Sequence, residues 1–255
     1  MCTLVILLRP GADWPVVIGA NRDEMADRPW SPPGRHWPQR PGIVAGRDDL
    51  AGGSWLGIND DGVVAGIMNR MNTLGPQSGK RSRGELVLEA LDHADARDAA
   101  NALAELDGRA YRAFNMVIAD NRDAFWLRHR AENGGAGAGI VEVRPLPPGY
   151  SMLTAHDRND TVSSARIRHF LPHVRATPAP DPAHDEWKAW EALMAIRAPA
   201  SAADPGDGMT VEYPNGFGTL SSALIALPAP GAGKPVWRFA EGPPDRTPYR
   251  PVALA

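Results

Sequence analysis

Cysteine is almost absent from this chain: Cys2 is the only one among 255 residues. An internal disulfide is therefore excluded, and nothing argues for an oxidising compartment. Long hydrophobic runs are missing as well. No apolar stretch approaches the roughly 18 residues that a membrane-crossing helix needs, so no membrane span is expected. The opening segment lacks the basic flank of a secretory signal and is short for one. Basic charge is not in excess either, because 27 Lys and Arg stand against 30 Asp and Glu, for a net charge of −3. That balance offers no footprint for a polyanion and excludes nucleic acid as an expected partner. The seven histidines follow no metal-binding grammar, with no HExxH, CxxC or CxxCH, and no metal is expected. These absences describe a cytoplasmic protein of bacterial type. The oligomeric state stays open.

The content is otherwise that of a soluble domain, with 43% hydrophobic and 22% charged residues. One domain over residues 1–255 is expected, long enough for a sizeable core. The 26 Gly and 25 Pro predict many turns. Residues 3–8 are apolar on both faces, as are 16–20, and both read as strands buried on two sides. A hairpin between them, centred near residue 12, sets Cys2 across from Arg22. Residues 29–41, with five prolines, read as an irregular loop. A second hairpin joins 54–58 to 63–67, and a third joins 114–120 to 124–130. Ser82-Arg83-Gly84-Glu85 fits a capping box ahead of a helix reaching about residue 93. Further helices are expected over 95–106, 163–170 and 185–196, with Pro172 ending the third. Short strands are expected over 140–143 and 150–154, a loop over 197–213, and closing strands over 220–227 and 236–239. Antiparallel hairpins with separate helices argue an α+β fold, a four-layer α/β/β/α sandwich of antiparallel sheets.

Position two matters chemically. If Met1 is trimmed, Cys2 carries a thiol and a free α-amine on one residue. The amine titrates near pH 7.7–8.0, so one residue can supply both nucleophile and general base. The competing reading is a small buried hydrophobe. Asn21-Arg22-Asp23-Glu24 ends the second predicted strand, beside Cys2. An Arg near a thiol lowers its pKa, and an Asp near an α-amine holds it. Alternatively, the tetrapeptide is a solvated strand end.

With Met1-Cys2-Thr3, Asn21-Arg22-Asp23-Glu24, Arg28-Pro29, Ala45-Gly46-Arg47-Asp48 and Gly52-Gly53-Ser54-Trp55-Leu56-Gly57, the chain resembles the NRDE family, also called the transport and Golgi organisation protein 2 family. Met68-Asn69-Arg70, Ser82-Arg83-Gly84-Glu85-Leu86, Phe114-Asn115 and Gly218-Thr219-Leu220-Ser221-Ser222 extend the resemblance over nearly the whole chain. The resemblance implies an N-terminal-nucleophile hydrolase-like fold and kinship with cysteine acylases that cleave linear amides. It implies Cys2 as nucleophile, Arg22 and Asp23 as its assistants, Asn69 as oxyanion donor and Asn115 as the residue orienting the amine. The acylases separate their Arg and Asp by two residues, whereas Arg22 and Asp23 are adjacent. Asn21, Trp55 and Arg70 are the candidates for substrate contact.

Other features carry less. Trp30, Trp37 and Trp55 are candidates for an apolar ligand wall or for core packing. Lys80, Arg81 and Arg83 form a solvated helix start or, alternatively, an anion site. Two function classes follow. The first is an N-terminal cysteine hydrolase acting on an amide or acyl bond of a small molecule, with no cofactor required. The second, which the resemblance also implies, is a non-enzymatic carrier in haem trafficking or acyl-lipid handling, haem then being a ligand with Cys2 or His156 as the conceivable axial groups. A plain folded domain with Cys2 capped by Met1 is the third reading.

Overall fold

In the computed structural model, residues 2–130, 139–198 and 204–254 are described. Its strands are β1 Thr3–Leu8, β2 Val16–Met25, β3 Trp30–Gly34, β4 Ile43–Asp48, β5 Leu56–Asn59, β6 Val64–Asn69, β7 Phe114–Ala119, β8 Ala124–His129, β9 Val141–Pro145, β10 Gly149–Leu153, β11 Phe217–Leu227, β12 Val236–Ala240 and β13 Arg250–Pro251. Its α-helices are α1 Gly84–Leu91, α2 Ala96–Ala104, α3 Ala165–Ala176 and α4 Lys188–Met194. They form two units, one built from Met1–Arg28 with Pro147–Ala253, the other from Pro29–Leu146. No helix of the described residues is long and apolar enough to cross a membrane.

The first unit holds a sheet in the order β10-β1-β2-β11-β12-β13. β1 and β2 pair antiparallel from Thr3 opposite Asn21 to Leu8 opposite Val16. That is the register a turn centred near residue 12 predicts, and it sets Cys2 one step beyond the last pair, across from Arg22. One face takes α3 and α4: Val5, Leu7, Val17, Met152, Leu224 and Ala226 pack against Ile167, Phe170, Val174, Trp190 and Met194. Gly19 faces α4 so closely that a Cβ there would lie 3.2 Å from the Met194 sulfur and the Trp190 ring.

Three expectations about this unit need correction. β2 does not stop before Asn21 but runs on to Met25, because β11 pairs with it as far as Phe217 opposite Met25. The tetrapeptide thus lies in the last stretch of the strand, as expected, but Asn21, Arg22 and Asp23 are buried rather than solvated. β11 likewise starts at Phe217. α3 passes through Pro172 to Ala176. A proline inside a helix costs about 3 kcal/mol, yet the apolar stripe Ile167, Phe170, Leu171 and Val174 continues across it and is buried. Pro172 and Arg168 are exposed, so the carbonyl that loses its helical donor faces solvent. Part of the predicted 197–213 loop, residues 199–203, lies outside the described residues.

The second unit is a meander in the order β3-β4-β5-β6-β7-β8-β9. α1 and α2 intervene between β6 and β7 and cover one face, packing Leu86, Val87, Leu91, Ala99 and Leu103 on Ala65, Phe114, Met116, Ile118 and Leu127. β3 occupies part of the predicted 29–41 loop. Pro32 and Pro33 are tolerated because β3 is an edge strand whose pairing to β4 is broken between Ser31 and Gly34. β4 itself was not expected from the sequence pattern.

The capping box forms differently from its prediction. Arg83, not Ser82, is the N-cap of α1, and no side chain caps it. Tertiary contacts decide this. Arg83 Nη1 and Nη2 donate to Thr73 Oγ1 at 2.9 Å, the Ala113 carbonyl at 3.0 Å and the Thr73 carbonyl at 2.8 Å. Gly84 is pressed on Gly53, where an added Cβ would lie 2.5 Å from the Gly84 carbonyl carbon. Gly53→Ala is therefore expected to lower unfolding free energy by about 1–3 kcal/mol through overpacking, read as a shifted urea midpoint with unchanged slope. An unshifted midpoint would show that the α1 start can move aside.

Candidate functional site

The centre around Cys2 is assembled by the β1–β2 pairing. The Asp23 main-chain N–H donates to Cys2 Sγ at 3.4 Å, and the thiol lies 3.6 Å from the Asp23 carbonyl, to which it donates. Alternation along the strands puts Cys2, Arg22 and Ser221, which is paired with Arg22, on the face away from α3 and α4. Asn21 and Asp23 fall on the helix face.

Asp23 and Arg166 form an ion pair at 3.3 Å, with side chains 0% and 4% exposed. Such a pair needs further hydrogen bonds to offset the loss of water, and it has them. Thr219 Oγ1 donates to Asp23 Oδ1 at 2.7 Å, while Arg166 Nη1 reaches both Asp23 Oδ2 and, at 2.5 Å, Thr3 Oγ1. The other edge of the guanidinium grips the Gly206 carbonyl, from Nε at 2.9 Å and Nη2 at 2.6 Å. The Asp23 carboxylate is thereby fixed beside Thr3, the residue following Cys2.

Burial pushes the Cys2 thiol above its ordinary pKa, and the Asp23 carboxylate adds to that rise. The N-terminal charge, the Asp23 main-chain hydrogen bond and Arg22 act in the opposite direction and are outweighed. The sequence expectation that Arg22 lowers the thiol pKa thus holds in sign for that one contribution and fails for the sum. Cys2 is partly exposed as a residue, while its sulfur is desolvated. A thiol in this state reacts poorly unless a neighbouring base removes its proton.

Asn21 is 1% exposed. Its Nδ2 donates to the carbonyls of Met194 at 3.0 Å and Met209 at 2.9 Å, tying β2 to the end of α4 and to the 209–211 segment. It therefore does not share a face with Cys2.

The remaining candidates lie in the second unit. Asn115, fully buried, accepts from Arg70 Nη1 at 2.7 Å and from Trp126 Nε1 at 3.1 Å through one oxygen. Asn69 ends β6 opposite Phe114, whereas Asn115 is opposite Met68. Alternation puts Asn69 on the face of Phe114, towards the helices, and Asn115 on the other. Arg70, beyond the strand end, reaches Asn115 with its guanidinium. Trp55 lies on Gly46, where a Cβ would be 2.3 Å from the indole, and meets Trp30 edge to face at 5.7 Å. Close ring-on-backbone packing thus accounts for the Gly in Ala45-Gly46-Arg47-Asp48. Trp37 is core, with Nε1 donating to the Gly52 carbonyl at 3.0 Å. His156 follows β10, and its main-chain N–H donates to Thr154 Oγ1 at 3.4 Å. Among the described residues, no group of three or more His, Cys, Asp and Glu could hold a metal ion.

The pattern reading missed Arg166, Thr3 and the role of Thr219. Arg166 carried a signal: it is a charged residue on the apolar stripe of an amphipathic helix, four positions before Phe170. A charge there needs a buried partner.

The fold is that of N-terminal-nucleophile hydrolases. Penicillin V acylase from Agrobacterium tumefaciens superposes with a TM-score of 0.58 and 13% identity, covering 94% of this chain and 83% of that one. The Caenorhabditis elegans N-acylethanolamine-hydrolyzing acid amidase ortholog gives a TM-score of 0.53 at 13% identity, over 91% and 95% of the two chains. The C2A mutant of conjugated bile acid hydrolase from Clostridium perfringens gives 0.53 at 9% identity, over 99% and 97%. In sequence, the mouse Transport and Golgi organization 2 homolog is 33% identical over 110 residues, and its human counterpart matches equally. Each match spans 41% of this chain and only 38% of the mammalian protein. The family model for Transport and Golgi organisation 2 matches residues 1–173, and the chain belongs to that family.

Proposed function

We propose that this protein is an N-terminal cysteine hydrolase that cleaves an amide or related acyl bond of a small molecule once Met1 has been removed. The observation that carries the reading is the seating of Cys2. Its sulfur is held against the main chain of Asp23, whose carboxylate is locked by Arg166 and Thr219 beside the start of β1. A buried, rigid acid next to the site of a future α-amine suits a base that must be oriented.

In this scheme the neutral α-amine takes the thiol proton, and the thiolate attacks the acyl carbon. The tetrahedral intermediate collapses, the C–N bond breaks, and the leaving amine takes the proton from the α-ammonium. Water, deprotonated by the same amine, then hydrolyses the thioester, releasing the acid and restoring the thiol.

The test is mass spectrometry of the mature protein mixed with a panel of N-acyl amides. The expected result is an acyl adduct on Cys2, with turnover that Cys2→Ala abolishes in a folded protein. Turnover that persists in Cys2→Ala would overturn the scheme. Stoichiometric retention of haem or acyl-CoA, with nothing consumed, would mark a carrier instead.

A further inference from the structure

The segment 204–213 is attached to Asp23 twice. At one end, the tight turn Pro205–Asp207 aims the Gly206 carbonyl at the guanidinium of Arg166, whose far edge reaches Asp23 Oδ2. At the other, the Val211 N–H donates to Thr219 Oγ1 at 3.0 Å, and that hydroxyl donates to Asp23 Oδ1. Both carboxylate oxygens are thus placed by one stretch of chain. The stretch is fastened on itself: Tyr213 Oη donates to Asp204 Oδ1, which also accepts the Gly206 N–H at 2.8 Å. Gly206 lets the phenol come close: a Cβ there would lie 2.1 Å from the Tyr213 oxygen and push it aside.

We propose that Asp204 and Tyr213 are positioning residues: their hydrogen bond latches the 204–213 segment, which holds the Asp23 carboxylate in place for Cys2 through Arg166 and Thr219. The proposal rests on the reading of Cys2 as the reacting group. The latch stays shut across neutral pH. Burial and the Asp204 hydrogen bond push the Tyr213 phenol up to about 12, and the same bond, with that of Gly206, holds Asp204 below the usual carboxylate range. Opening it frees the Gly206 carbonyl, lets Arg166 shift from Asp23, and leaves the carboxylate field on the thiol less compensated. The charged groups acting on the thiol are Asp23, Arg22 and the N-terminal amine, and of these the latch addresses Asp23.

The readout is the pH profile of iodoacetamide alkylation on the whole protein, in which Cys2 is the sole thiol. Tyr213→Phe is expected to move the midpoint upward and slow alkylation at pH 7.5 by about threefold or more, half a pKa unit. Asp204→Asn, which keeps an acceptor for Gly206, moves it the same way by less. Tyr150→Phe is the control, because that hydroxyl bonds the Thr177 carbonyl instead, and its profile stays put. Thermal melts establish that each variant is folded; if Tyr213→Phe is not, Asp204→Asn decides alone. Wild-type profiles in folded latch variants would overturn the proposal. Alkylation needs no substrate, so a protein that hydrolyses nothing would end the hydrolase reading while the latch is still judged by its own profile.

Discussion

Arg166→Met is expected to lower the unfolding free energy by about 3–5 kcal/mol, the cost of leaving one member of a buried ion pair without the other. The pair is closed to solvent on both sides, and the lost guanidinium also strands the Gly206 carbonyl and the Thr3 hydroxyl. The double variant Arg166→Met with Asp23→Leu should recover much of the loss, since the abandoned carboxylate is gone. Urea unfolding of the wild type, the two single variants and the double variant measures the coupling. A loss below about 1 kcal/mol for Arg166→Met, as at an exposed pair, would mean that water reaches the carboxylate. The rigid acid invoked for Cys2 would then be lost as an argument.

Keeping a residue ahead of Cys2 should slow amide turnover by about 10²–10⁴, the usual contribution of a positioned general base. The amide nitrogen of an unprocessed Cys2 cannot accept a proton, and the thiol is held above its ordinary pKa by burial and by Asp23. Nucleophile and base therefore fail together. The comparison is between mature protein and a form that retains Met1, each verified by intact mass and assayed on the same N-acyl amide. Equal rates would remove the α-amine from the mechanism and point to another base.

Much of the centre was legible because it depends on short-range rules. Two short apolar runs, 3–8 and 16–20, and a turn near residue 12 set the hairpin register, and hence the neighbours of Cys2. The same rules failed where a third partner intervenes. β2 is extended by β11, and α3 crosses Pro172 because packing on the sheet outweighs a local penalty. α1 starts a residue late because Gly84 is pinned on Gly53.

Chain position and the place of one turn are enough to name the candidate nucleophile and the strand beside it. Tertiary structure alone decided the electrostatics. Asp23, Arg166, Thr219 and Gly206 are far apart along the chain, and nothing local couples a strand carboxylate to an arginine on α3. The direction of the thiol pKa was decided in the same way: Arg22 was visible as a neighbour, but desolvation was not. Desolvation depends on how much of the folded chain excludes water from one sulfur atom, a quantity that no short stretch of sequence contains.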